Sequence, residues 1–95
     1  MSVRFTWDPG KAKANRIKHG ISFEEALTVF GDPLARIHDD PSHSAVEHRE
    51  IVVGRSMRGR LLLVSFSERP RGIRLISARR ATRHEREDYE KGKSL

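Results

Sequence analysis

Three apolar runs in the second half of the chain, IVVGRS, RLLLVSFSE and IRLISARR, are parted only by Met57-Arg58-Gly59 and by Arg69-Pro70-Arg71-Gly72. Breaks this short join antiparallel neighbours, because a parallel crossover needs a dozen residues or more. The pattern predicts strands over 49–56, 60–68 and 73–80 in a meander, with Pro70 at the second position of a type I turn. The runs do not alternate cleanly between apolar and polar. With side chains pointing alternately up and down, Leu62, Val64 and Phe66 share one face while Leu61 and Leu63 take the other. On the last strand, Ile73 and Leu75 oppose Ile76 and Ala78. A sheet that is apolar on both faces needs a cover on each.

The first half supplies one cover. Asp8 can cap a helix, Pro9 suits its first turn, KAKANRIKH continues it, and Gly20 offers a left-handed stop. Ser22-Phe23-Glu24-Glu25 has the pattern of a capping box, with Phe23, Ala26, Leu27 and Phe30 on one face of the helix that follows. Gly31-Asp32-Pro33 ends it. Residues 4–7 and 34–38 are short strand candidates, and 39–48 reads as a polar loop. Thr82-Arg83-His84-Glu85 is a second capping box, opening a short helix over about 83–91. Arg83 with Glu87 and Arg86 with Glu90 can form i,i+4 pairs on it. Its obvious anchor is Tyr89. The expected architecture is α+β, one domain over 1–95. Two N-terminal helices pack on one face of a small antiparallel sheet, and a short C-terminal helix covers part of the other. What that helix leaves bare is expected to be a cleft or a partner site.

Lysine and arginine number 19 against 13 acids, a formal charge of +6 over 95 residues. Such a balance suits a polyanion, since counterion release drives phosphate binding, and it also suits an acidic partner. The absence of cysteine excludes disulfides and thiolate metal sites. There is no long apolar run and no signal-peptide core, so the expectation is a soluble cytoplasmic protein that does not engage a membrane.

Three segments taken in series resemble the BrnT family of bacterial type II toxins: FTWDPGKAKANRIKHGISFEEALTVFGDP at the front, VVGRS with GRLLLVSF in the middle, and IRLISARRATRHEREDYEK at the back. The resemblance spans nearly the whole chain and is weakest over 39–48. It implies a RelE-like fold and an RNA-cutting toxin silenced by a cognate antitoxin of ribbon-helix-helix type (BrnA-like). Operator DNA would be met only through that complex. A non-catalytic nucleic-acid-binding or adaptor protein within a repressor complex is the competing reading.

RNA cleavage without metal or cofactor uses the 2′-hydroxyl as internal nucleophile, leaving the protein to place groups and stabilise charge. Arginine suits the phosphate because its planar fork binds two oxygens and stays charged. Arg79 and Arg80 end a strand just before a helix N-terminus, and being adjacent they point to opposite faces. Arg79 lies in the ISAR segment carried over from the family and is the favoured phosphate ligand; a salt bridge to Glu85 or Glu87 is its ordinary alternative. His19 is a candidate acid or base, imidazole being the side chain that titrates near neutrality; a histidine in a last helical turn also simply complements the dipole. Lys11, Asn15 and His19 form a polar stripe that would wall an active site if it faced the sheet beside Arg79. Tyr89 is a candidate for proton transfer or phosphate donation as well as an anchor. Trp7 could stack on a base or pack in the core. Arg49, Arg55, Arg69, Arg74 and Arg80 are candidates for the RNA backbone track. Asp39, Asp40, His43, Glu47 and His48 fit no compact metal-ligand signature.

Overall fold

The computed structural model describes residues 3–40 and 48–92. Its centre is a five-stranded sheet of β1 (Phe5–Thr6), β2 (Arg36–Asp39), β3 (Glu50–Arg55), β4 (Leu61–Arg69) and β5 (Gly72–Arg80), in the order β1-β5-β4-β3-β2. The three expected strands pair as an antiparallel meander, and β2 adds to β3 in the same sense. One part of the expectation is corrected. β1 runs parallel to β5, pairing Phe5 with Ile73 and Thr6 with Arg74, so the sheet is mixed. The segment 9–31 lies between β1 and the rest of the sheet in sequence, long enough to serve as the crossover that parallel pairing demands. Gly72 makes that pairing possible. It has φ +150°, and a Cβ there would fall 2.0 Å from the carbonyl oxygen of Arg4.

A second correction concerns β5. The register passes from Ser65↔Ser77 to Phe66↔Leu75, leaving Ile76 as an extra, unpaired residue. Such a bulge reverses the alternation beyond it. Leu75 and Ala78, expected on opposite faces, therefore join one core with Leu62, Val64, Phe66 and Val52, and Ile73 packs against it.

That core is closed by the N-terminal helices. α1 (Pro9–His19) is capped as expected: the Asp8 carboxylate accepts from the Lys11 N–H at 2.9 Å, and Gly20 (φ 71°) ends it. α2 (Phe23–Ala26) is shorter than the pattern suggests and continues as a 3-10 turn (Leu27–Gly31). Its capping box is only half formed. Ser22 Oγ accepts from the Glu25 N–H, but the Glu25 side chain does not return. Instead it is buried, accepting from Ser56 Oγ at 2.7 Å and from Arg60 Nε at 2.9 Å, with Arg60 Nη2 on its second oxygen. Hydrogen bonds from Arg60 hold this carboxyl below the usual range despite its burial. Ile21, Phe23, Ala26 and Val29 are buried.

α1 runs along the free edge of β5. Beyond Arg74 no strand among the described residues pairs with that edge, and the amide of Asn15 takes the strand's place. Its Oδ1 accepts from the Ala78 N–H at 3.0 Å, while Nδ2 donates to the Ala78 carbonyl at 2.9 Å and to the Ile21 carbonyl at 3.0 Å. Asn15 is 6% exposed, and a buried amide this fully paired closes an edge that would otherwise leave backbone groups orphaned.

On the opposite face a smaller cluster of Val53, Leu61 and Leu63 is covered by Tyr89 and Ala81. α3 (Arg83–Glu90) carries a complete capping box between Thr82 and Glu85. Tyr89 anchors it: its hydroxyl donates to Asp32 at 2.6 Å, and the Arg55 guanidinium lies 5.9 Å from its ring centre. α3 covers only part of this face, and beside it the sheet stays open as a groove.

A candidate active-site groove

The groove has a volume of about 330 Å³. Ile51, Leu63, Ser65 and Ser77 form its floor, on the sheet face beside α3. Ile76 and Ala78 carry it to the β5 edge, where His19 closes it, and Asp40, Arg49 and Arg79 stand on its rim. His19 arrives there because Asn15, one turn earlier, ties α1 to β5 at Ala78. The polar stripe thus faces the sheet in its last two members. Lys11, its first, is exposed and does not line the groove.

Arg79 is held by Glu85. Nη1 and Nη2 donate to the two carboxylate oxygens at 2.8 and 2.9 Å, and Nη1 also donates to the Arg80 carbonyl at 3.1 Å. A guanidinium has five N–H donors. These three bonds leave two, on Nε and Nη2, with no partner among the described residues. The side chain is 42% exposed, so it is a fixed cation with one edge bound and another available. The paired Glu85 raises the Arg79 pKa. In return Arg79, with help from the Thr82 N–H, draws Glu85 down to about 2. The salt bridge that sequence offered as the ordinary alternative is present, and it coexists with access to the groove.

Arg55 and Arg80 come together elsewhere. With Arg60, Arg86 and Glu90 they line a cleft of about 300 Å³ between the β3–β4 turn and the outer side of α3. The expected Arg86–Glu90 pair is not formed; Glu90 lies 3.7 Å from Arg55 instead. Arg69 lies at the β4–β5 turn beside Arg4 and Arg71, and Arg74 sits in β5 opposite Ser67 and Thr6. Trp7 packs edge-on against Phe23 at 5.9 Å, beside the core. Tyr89 lines neither the groove nor the Arg80 cleft. Burial and the Asp32 carboxylate push its hydroxyl up to about 12, which keeps it a donor to Asp32.

Sequence reading missed Asp40, Ser65 and Ser77 as groove residues. In the sequence Asp40 reads as a turn residue or a loose ligand; its N–H donates to the Arg49 carbonyl, which brings both residues to the rim. Among the described residues, Asp39, His48 and Glu50 offer ligand atoms within 4.8 Å of one another. The β2–β3 register puts Asp39 opposite Glu50 and so on the sheet face away from Ile51 and the groove. His43 and Glu47 lie outside the described residues.

A family model described as "Ribonuclease toxin, BrnT, of type II toxin-antitoxin system" matches residues 7–85, which include His19, Arg49, Arg79 and Glu85. Among solved structures, the chain is similar to the ribonuclease toxin BrnT of Brucella abortus. The TM-score is 0.68 at 21% identity, over 86% of this chain and 100% of that one. No curated protein sequence matches.

Proposed function

The chain belongs to the BrnT family of ribonuclease toxins of type II toxin–antitoxin systems, a family whose substrate is RNA and whose counterpart is an antitoxin, and from this we propose that the groove between His19, Arg49 and Arg79 is where RNA is cut. One observation carries the proposal: three side chains that are distant in sequence meet on one open stretch of sheet. The reaction is an internal transesterification. The RNA 2′-oxygen bonds to the adjacent phosphorus, the bond to the 5′-oxygen breaks, and a 2′,3′-cyclic phosphate and a 5′-hydroxyl result. The free Nε and Nη2 donors of Arg79 take two phosphate oxygens side by side, and their charge counts most as negative charge builds on the phosphorane. Arg49 supplies further positive charge at the rim. His19 handles the proton, removed from the 2′-hydroxyl and returned to the leaving 5′-oxygen. The Ile51–Leu63 floor gives a base an apolar surface to lie on.

The scheme uses no metal and no cofactor. We read the whole chain as one toxin domain with a RelE-like layout. The antitoxin is of BrnA-like ribbon-helix-helix type, operator DNA is met only in its company, and the site of action is the cytoplasm. No described helix is long and apolar enough to cross a membrane. Trp7 and Tyr89, both candidates from sequence, have folding roles in this reading, and the exposed side chain of Lys11, a third candidate, has no part in the groove. Purified protein free of antitoxin is expected to cut RNA, and Arg79→Ala to abolish cutting with circular dichroism unchanged. RNA binding without cleavage by the parent protein would instead favour the adaptor reading.

A further inference from the structure

We propose that the cleft between the β3–β4 turn and α3 is a second phosphate site, holding a backbone phosphate of the RNA away from the bond that is cut; the choice of RNA rests on the ribonuclease reading of the groove. Four guanidiniums line this cleft, from Arg55, Arg60, Arg80 and Arg86, against one lining carboxylate among the described residues, that of Glu90. Two of the four are already balanced. Arg60 is bound along one edge by the buried Glu25. Arg55 faces Glu90 at 3.7 Å and is steered by the Gly59 carbonyl at 3.2 Å and by the Tyr89 ring. Arg80 and Arg86 have no side-chain partner among the described residues. Glu90, one helical turn after Arg86 and its natural mate, has gone to Arg55 instead. Two uncompensated cations therefore share a recess with two compensated ones. Like charges gathered this way repel, and a phosphate relieves that repulsion while using the planar donor forks.

The position of the cleft argues for a polynucleotide. Arg79 and Arg80 are consecutive, with Cα atoms about 3.8 Å apart as across any trans peptide. One serves the groove and the other serves the cleft. A strand of RNA crossing the end of β5 where it turns into α3 has a cationic seat on either side of that crossing.

The test measures binding of full-length protein to a 2′-O-methyl RNA oligomer, which has no free 2′-hydroxyl to attack, by fluorescence anisotropy across a range of salt. Losing one phosphate contact lowers the slope of log K against log salt by about 0.7 to 1. Arg80→Gln and Arg86→Gln should each show that drop and several-fold weaker binding. Arg83→Gln removes the same charge from the same helix but outside the cleft, and should leave the slope at the parent value. Circular dichroism of each variant confirms folding. Slopes for Arg80→Gln and Arg86→Gln that match Arg83→Gln overturn the site. Inorganic pyrophosphate that raises the parent melting temperature while RNA slopes are unaffected by the variants overturns RNA as the ligand, leaving a pocket for free phosphate. The catalytic reading is judged apart, on unmodified RNA. Cutting with unchanged slopes retires only the cleft, and altered slopes without cutting retire only the chemistry.

Discussion

Arg79 and Glu85 form the contact on which most of the proposed chemistry turns, and the pair has opposite consequences for its two members. Arg79→Ala removes the proposed phosphate ligand and should lower RNA cleavage by about 10²–10³-fold, the usual effect of losing a donor to the transition state. Glu85 does not need to touch RNA for its loss to matter. It also accepts from the Thr82 N–H at 2.8 Å, so Glu85→Ala loses a cap and an ion pair together and should cost about 1–2 kcal/mol in chemical denaturation. Asn15 is the residue whose importance sequence least discloses. It reads as one member of a polar stripe, yet it holds both backbone groups of Ala78, sixty-three positions away. Replacing it with alanine leaves those groups buried and unpaired and should cost about 3 kcal/mol, lowering the melting temperature by roughly 10 °C or more. Such a loss would also release His19 from the groove. The ISAR arginine and KHG histidine could be picked out in the sequence as chemical types. Their meeting could not, because it depends on where the β5 edge lies.

At the scale of elements, the strands were legible because apolar runs and short turns leave few alternatives, and the parity of β5 was not. The bulged residue, Ile76, carries no glycine or other mark, and one extra residue exchanges the faces of everything beyond it. The two capping boxes make a similar contrast. Both match the pattern, but at Ser22 the Arg60 guanidinium outcompetes the cap for the buried Glu25, whereas at Thr82 the cap and Arg79 share Glu85. This sharing gives α3 a pH window. The folded Glu85 carboxyl titrates at about 2 instead of 4.5. Its contribution is fully present above about pH 4.5 and is lost as pH falls from there toward 2. Tyr89 works in the other direction. Raised from 10 to about 12, it supports the docked helix below pH 10, and that support is lost as pH climbs toward 12. Asp32 is lowered by hydrogen bonds from Tyr89 and from the Arg55 and Leu34 backbones, which outweigh its burial, so it adds to the acid-side loss. Amide exchange in 83–90 should therefore accelerate at both ends of the range before β3–β5 exchange does. Exchange of α3 and sheet in step at every pH would contradict this account. β1 has its own test. Gly72→Ala drives a Cβ into the Arg4 carbonyl and should cost more than about 1 kcal/mol, read as loss of exchange protection in 4–6.

For the whole molecule, a surplus of positive charge becomes useful only through its distribution. The +6 balance in the sequence does not distinguish an evenly basic surface from one with seats for phosphate. In the fold, many of the cations are spoken for: Arg60 by Glu25, Arg83 by Glu87, Arg55 by Glu90. Others stand exposed along α1, among them Lys11, Lys13, Arg16 and Lys18, while where β5 meets α3 the free edge of Arg79 lies next in sequence to Arg80, whose head shares a cleft with that of Arg86. The possible metal ligands are arranged in the opposite way. Asp39, His48 and Glu50 gather on the face that Ile51 and the groove turn away from, and among the described residues the groove itself offers one carboxylate, Asp40, and one imidazole, His19. A divalent ion held by the trio would stand across the sheet from the phosphate of the proposed scheme and there could neither polarise it nor activate the 2′-hydroxyl. Cleavage by the purified protein is therefore expected to proceed at the same rate in EDTA. His48→Ala with Glu50→Gln, which dismantles the trio, should leave that rate unchanged, while raising salt slows the reaction as phosphate contacts are screened. A rate that collapses in EDTA and returns with a divalent ion would put a metal at the scissile phosphate, and arginine and histidine could no longer be its principal catalysts.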